Sequence, residues 1–151
     1  MTSSAESPRL VGLNHVALEV GNIEDALEFY GKLFDIKLRG RGEGRAFIDM
    51  GDQFIALFEG RTQVADDHRH IGLVVNDKAA VRARLDKLGV ELLPGRFLDF
   101  RDPWGNRIQI IDYADVQFTK TADVLNAMGL ADLEKSADAK QQLRDKGMMP
   151  E

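Results

Sequence analysis

The residues of this chain best suited to chemistry are two histidines that occupy matching positions. Three histidines are present in all, and no cysteine, which excludes disulfides, thiolate nucleophiles and cysteine-bound metals. His15 and His70 each lie at the start of an apolar, strand-like run, LNHVALEV and HIGLVV. Neutral imidazole binds Zn²⁺, Ni²⁺, Mn²⁺ and Fe²⁺, so this pair indicates a metal site if folding brings the two together. A lone histidine in a strand is more often a hydrogen-bonded core residue, and that alternative stays open.

The elements that must position these histidines form an internal repeat. Placing His15 on His70 also places Asn22 on position 77 and Leu33 on Leu88. The first repeat predicts strands at 13–20, 46–50 and 53–59 and a helix at 23–33, capped by Asn22. The second predicts strands at 70–75, 90–93, 96–100 and 107–113, with a helix before Gly89. The stretch Gly40 to Gly44 is interpreted as a flexible connection.

The predicted fold class is α+β, with two βαβββ modules that pair into a curved mixed sheet around a shared cavity. One such half alone would leave its concave face in water, which is a physical reason for the duplication. Residues 10–60 and 61–114 are the two modules, and 1–9 form a disordered N-terminal tail. Residues 115–151 are a helical extension that packs over the domain or a neighbouring subunit, with a recognition tail as the alternative.

The composition and the net charge limit the classes of molecule that this protein is expected to bind. A net charge of −5 and a pI near 5.2 argue against nucleic-acid binding. The apolar runs predict no membrane span, and the N-terminus does not resemble a signal peptide. With no cysteines, the expected location is the cytoplasm.

The motifs LNHVALEV, HIGLVV and FRDPWGNRIQIIDY resemble the signature strands of the vicinal-oxygen-chelate superfamily of glyoxalases, bleomycin resistance proteins and extradiol dioxygenases. The resemblance covers about residues 10–114 and implies the paired βαβββ fold. It also implies a divalent metal (Zn, Ni, Mn or Fe) whose ligands come from the first and last strands of each module. The implied ligands here are His15, His70 and Gln109. Homodimers are common in the resembled family, and a homodimer is expected.

Two positions depart from the family pattern. The second module usually carries Glu where this chain has Gln109, and some glyoxalases carry Glu where this chain has Ala56. A glutamine offers a neutral amide oxygen, which is a weaker ligand than a carboxylate and cannot serve as a base at neutral pH. Glu19 lies on the His15 side of its strand and is the candidate catalytic base or substitute ligand.

Six further residues are candidates for substrate binding, because each lies on a strand or turn near the expected cavity. They are Phe54, Ala56, Arg101, Trp104, Arg107 and Tyr113. An arginine there would suit an anionic substrate, although surface arginines are commoner. Trp104 has the alternative role of capping the module interface. His68, in the acidic run DDHRH, is interpreted as a loop residue.

Three functions remain open at this point. The first is a metal-dependent lyase, isomerase or dioxygenase-like enzyme acting on a small oxygen-rich substrate. The second is a metal-free protein that binds a drug-like molecule, as in the bleomycin-resistance branch, which the missing carboxylates favour. The third is a scaffold whose dimer surface matters more than its cavity.

Overall fold

The structure is a computed structural model that describes residues 7–151. The predicted disordered tail at 1–9 lies mostly outside the described residues. Residues 7–13 have no regular secondary structure.

The first module is an open four-stranded sheet with one helix against it. Its elements are β1 (His15–Val20), α1 (Ile23–Leu33), β2 (Leu38–Gly42), β3 (Arg45–Asp49) and β4 (Phe54–Glu59). The strand order is β1-β4-β3-β2, with β1 parallel to β4 and the other pairs antiparallel. The Asn22 side chain caps α1 by accepting a hydrogen bond from the Asp25 N–H, as the sequence predicts.

The interpretation of residues 40–44 as a flexible connection is wrong. Strand β2 runs through Gly42 and pairs with β3 across a tight turn in which Gly44 has a φ of +68°. Its sequence, LRGRG, contains one large apolar residue, so the alternation that reveals a strand is missing. This segment forms a strand because it pairs with β3, and its own sequence pattern does not predict one.

The second module repeats the first with one strand fewer. It contains β5 (Ile71–Val75), α2 (Lys78–Leu88), β6 (Leu98–Arg101) and β7 (Arg107–Asp112), in the order β5-β7-β6. The strand expected at 90–93 is reduced to a single bridge between Leu92 and Phe100. Pro94 and Gly95 follow directly, and proline cannot donate to a strand ladder.

The α+β fold class is confirmed, with strands divided between two mixed sheets instead of one continuous sheet. The edge strands are β1 and β2 in the first sheet and β5 and β6 in the second. One continuous core nevertheless joins the modules, because Leu57 and Val20 of the first belong to the same buried cluster as Phe100 and Ile110 of the second.

The C-terminal extension packs back onto this domain. Helix α3 (Ala122–Ala127) lies against the β3–β4 turn, where Val124 and Met128 press on Gly51. Helix α4 (Ala137–Asp145) buries Leu143. Residues 131–136, predicted to be helical, are not, since the Ser136 side chain begins α4 by capping the Ala139 N–H. Within residues 7–151, no helix has the length and apolar character required to cross a membrane.

Candidate functional site

The first sheet presents His15 on the face that lies away from the core. Leu18 and Val20 are buried beneath β1, so the alternating residues His15, Ala17 and Glu19 face outward. The His15 ring stacks on Phe54 of the neighbouring strand, with ring centroids 4.7 Å apart. Its Nδ1 lies 2.9 Å from the Asn14 Oδ1. Packing and hydrogen bonding therefore both restrain this imidazole.

The second sheet presents His70 in an equivalent way, one residue before β5. Its Nδ1 lies 2.8 Å from the backbone oxygen of His68. Gly72, two residues further along the same face, pairs directly with Gln109 on β7. A Cβ atom added at Gly72 would meet the Ile111 Cδ1 at 3.0 Å, so the Ile111 side chain lies over this glycine.

Both histidines are arranged as metal ligands are. Each Nδ1 faces an oxygen that can accept its proton, and in the neutral imidazole this tautomer presents Nε2 to a metal ion. Imidazole ligands in metal sites are characteristically oriented in this way. The donor chemistry of the two histidines thus fits a divalent cation.

A single chain does not bring all the predicted ligands together. A crevice of about 190 Å³ between the modules is lined by His70, Glu19 and Arg107, among others, but His15 and Gln109 are not among its lining residues. Within residues 7–151 there is no group of three or more histidine, aspartate or glutamate side chains arranged to hold a metal. The crevice therefore joins one histidine to the candidate base, and the other histidine lies on an open sheet face.

The predicted substrate-binding residues occupy different environments. Phe54 lies half-buried under the His15 ring, whereas Ala56 is only 3% exposed and offers little contact surface. Arg101 donates to the backbone oxygen of Asp66, and Arg107 binds Asp99 and the backbone oxygen of Asp67. Both guanidinium groups thus already have protein partners.

Trp104 and Tyr113 lie away from the crevice lining. The Trp104 indole lies directly over Gly21, where a Cβ atom would not fit, so the indole packs at the junction of the modules. Tyr113 is 5% exposed and packs edge-on against Phe118, with the Lys135 Nζ 3.7 Å from its ring centroid. It belongs to the docking site of the C-terminal extension.

The DPWGN turn, the most diagnostic motif of the sequence, is a joint between the modules. Asp102 is buried and accepts hydrogen bonds from the Tyr30 hydroxyl at 2.6 Å, and from the backbone N–H groups of Trp104 and Asn106. Burial raises the pKa of Tyr30 well above its ordinary value, and the Asp102 charge raises it further. Asn106 also donates to the Glu19 backbone oxygen, so the turn reaches both α1 and β1.

Asp66 fixes the segment between the modules to the same joint. Its carboxylate accepts hydrogen bonds from Arg61 and Arg69, and its backbone N–H donates to the Gly105 oxygen. Burial alone would raise the pKa of Asp66, but hydrogen bonds from Arg69, Arg61 and the Arg107 N–H outweigh it and lower the pKa. The sequence marked this run only as an acidic loop, because its partners are distant in sequence.

Asp99 is a buried carboxylate that the sequence interpretation missed. It lies between the core residues Leu98 and Phe100, so its side chain is on the opposite face, and it pairs across the strands with Gln109. Both Arg107 contacts fall on one carboxylate oxygen, Oδ2. The other, Oδ1, has no hydrogen-bond partner within the described residues. A polar residue inside the alternating run LDF is the signal that could have revealed it.

Paired βαβββ-type modules with a histidine at the first strand of each define a vicinal-oxygen-chelate architecture. The chain belongs to the Glyoxalase/Bleomycin resistance protein/Dioxygenase superfamily, whose family model matches residues 12–110. Its relatives include Metallothiol transferase FosB from Bacillus licheniformis, 27% identical over 119 residues (70% of this chain, 77% of the relative). FosB from Staphylococcus epidermidis is 30% identical over 97 residues, which are 60% of this chain and 70% of the relative.

Solved structures support the same fold. A glyoxalase family protein from Bacillus anthracis superposes with a TM-score of 0.60 and 21% identity, covering 71% of this chain and 98% of that one. The fosfomycin resistance protein FosX from Listeria monocytogenes, in complex with Mn(II) and sulfate, superposes with a TM-score of 0.60 and 18% identity. That match covers 80% of this chain and 99% of FosX.

Proposed function

We propose that this protein is a divalent-metal-dependent enzyme that transfers a thiol to a small, oxygen-rich electrophile of the fosfomycin type. The observation that carries the proposal is the matched pair of histidines, each with Nδ1 held by an oxygen and Nε2 free. The similarity to FosB and FosX directs the choice of reaction and substrate.

His15, His70 and the Gln109 amide oxygen are the proposed ligands of the metal. A divalent cation bound there would polarise a substrate oxygen and stabilise the negative charge that develops on it. The Mn(II) complex of FosX makes Mn²⁺ the first ion to test, followed by Zn²⁺, Ni²⁺ and Fe²⁺.

The thiol must come from a second substrate, because the chain contains no cysteine. For an epoxide, the sulfur bonds to a ring carbon, the carbon–oxygen bond breaks, and the released oxygen takes the proton that the thiol gives up. Glu19 lines the crevice with His70 and is the proposed base for that proton.

A homodimer is proposed as the functional form. His15 and Glu19 face outward from the first sheet, and Phe58 on the same face is 40% exposed. A second copy covering this face would bury that apolar surface and bring its own His70 towards His15. The cytoplasmic location stays a prediction.

Metal binding and thiol transfer should be tested separately. Isothermal titration with Mn²⁺ is expected to give about one site per chain, lost in His15→Ala and in His70→Ala. Phosphorus NMR of fosfomycin with a small thiol such as cysteine or glutathione should show ring opening that requires both protein and metal. Tight Mn²⁺ binding without ring opening would reject fosfomycin as the substrate and leave the proposed metal site standing.

A metal-free binding protein is the second candidate. It is favoured by Gln109 at the position where the family usually has a carboxylate, and by the lack of a three-residue acidic or histidine cluster within residues 7–151. Failure of every divalent ion to bind, together with ligand-induced stabilisation of the metal-free protein, would support this candidate instead.

A further inference from the structure

The unpartnered oxygen of Asp99 is an unusual feature of the second sheet. Asp99 is 4% exposed, and its Oδ1 makes no hydrogen bond to any described residue. A buried carboxylate oxygen without a donor is costly, and native structures rarely tolerate one without a reason. A donor for this oxygen is therefore expected in the working form of the protein.

Arg107 and Gln109 are the two donors that the structure places beside Asp99 on the neighbouring strand. Arg107 directs both its Nε and a terminal nitrogen at Oδ2, at 3.0 and 2.6 Å, so it is already committed to the other oxygen. Gln109 is the direct cross-strand partner of Asp99. Side chains in such a pair have Cβ atoms about 5 Å apart, which is within reach of a glutamine amide after a change of side-chain rotamer.

We propose that Asp99 is a positioning residue for Gln109 in the metal site, an inference that rests on the proposed function. The Gln109 Nε2 donates to the Asp99 Oδ1, and this bond turns the amide oxygen Oε1 outward as a ligand beside His70. The adjacent negative charge polarises the amide and makes Oε1 a stronger donor.

The family usually carries a carboxylate at the position of Gln109 on the last strand. In this chain a carboxylate, Asp99, lies on the neighbouring strand β6 instead. Exchanging Gln109 for Glu alone would place two carboxylates opposite each other across β6 and β7, which is unfavourable. The same exchange combined with Asp99→Asn would restore one carboxylate and one amide, in reversed positions. The two positions should therefore behave as a coupled pair.

Mn²⁺ titrations of wild type, Asp99→Asn, Gln109→Glu and the double variant test this coupling. Asp99→Asn is expected to weaken Mn²⁺ binding by about 10- to 100-fold, as removal of an outer-shell partner does. Gln109→Glu alone should not tighten binding, whereas the double variant should recover at least wild-type affinity. The rescue separates positioning from a merely structural role, which a second substitution would not repair.

A measurement on the wild-type protein covers the case in which Asp99→Asn fails to fold. With diamagnetic Zn²⁺ bound, one Gln109 side-chain N–H should move downfield in NMR and exchange slowly, with its signal assigned by its loss in Gln109→Glu. Unchanged Mn²⁺ affinity in Asp99→Asn, additive effects in the double variant, or a solvent-like Gln109 signal would overturn the inference and leave the proposed function standing. Absence of metal binding in wild type would overturn both.

Discussion

At the scale of single residues, the hydrogen bond between Tyr30 and Asp102 connects the first module to the turn of the second. The hydroxyl and the carboxylate oxygen are 2.6 Å apart and buried. A hydrogen bond to a charged group contributes about 1.5–3 kcal/mol, so Tyr30→Phe should lower the free energy of unfolding by about that amount. Urea denaturation followed by circular dichroism measures the loss.

Tyr113→Phe is the matched control for that measurement. Tyr113 is also buried, but its hydroxyl forms no hydrogen bond to the residues at 7–151. Its substitution should cost less than Tyr30→Phe. Equal losses would show that the Tyr30 hydroxyl contributes nothing specific to the joint.

The sequence pattern predicted correctly which face of β1 carries His15, but it did not predict which residues surround the site. Alternation in LNHVALEV placed His15, Ala17 and Glu19 on one face, as the structure has them. It could not show that Arg101 and Arg107 hold the linker, because those contacts join residues about 35 to 40 positions apart. The roles proposed for His15, His70 and Gln109 stay predictions.

At the scale of elements, the segment that joins the modules depends on the charge of Asp66. Its carboxylate pKa is lowered in the folded protein, so the unfolded state binds the proton more readily. The corresponding stability is present above the unfolded pKa of about 3.9 and is lost as the pH falls through the lower folded value. Wild type should therefore lose stability below about pH 4 more steeply than Asp66→Asn.

Urea titrations over a pH series compare the two proteins, with Asp67→Asn as the control because Asp67 is an exposed neighbour in the same run. The control should follow the wild-type curve. If the free energy of unfolding of Asp66→Asn fell as steeply below pH 4 as that of wild type, the pH dependence would not come from Asp66.

A buried lysine, Lys135, anchors the segment that leads into α4. The Lys135 Nζ donates to the backbone oxygens of Tyr113, Val116 and Phe118, and burial lowers the pKa of this ammonium group. Lys135→Met leaves three carbonyls without their donor, at a cost of about 1–3 kcal/mol. The amides of α4 should then exchange hydrogen faster.

Hydrogen exchange resolved by mass spectrometry checks this, with Lys140→Met as the control in the same extension. Faster exchange confined to residues 113–145 is the expected result, because the core of the two sheets does not depend on this lysine. Equal effects of the two substitutions would contradict the anchoring role of Lys135.

Secondary structure followed from the sequence wherever the periodicity was intact. The stripe of Ile23, Ala26, Tyr30 and Leu33 predicted α1, and all four residues are buried. Strand β2 was missed because LRGRG has no alternation, and the strand expected at 90–93 is only a bridge that Pro94 and Gly95 follow. Whether such a segment forms a strand depends on its pairing with a neighbouring strand, and the local sequence pattern carries no information about that pairing.

At the scale of the whole molecule, the two modules share one buried core, and His15 lies on an exposed face of the first sheet. The joint built on Asp102, Asp66 and Asn106 holds them in one relative position. Because His15 does not line the crevice that contains His70, the matched histidines of one chain serve different surfaces. Two copies of the chain could complete both sites at once, each with one histidine from either chain.

Mixing two inactive variants distinguishes a site shared between copies from a site within one chain. In a heterodimer of His15→Ala with His70→Ala, one shared site has neither histidine and the other has both. Random reassociation should therefore recover about a quarter of the wild-type Mn²⁺ capacity, measured by titration after mild unfolding and refolding of the mixture. If both ligands of each site belonged to one chain, every site in the mixture would lack a histidine, and no capacity would return. A mixture that binds no more Mn²⁺ than the separate variants would therefore contradict the shared site, provided that the same treatment of wild type leaves its own capacity intact.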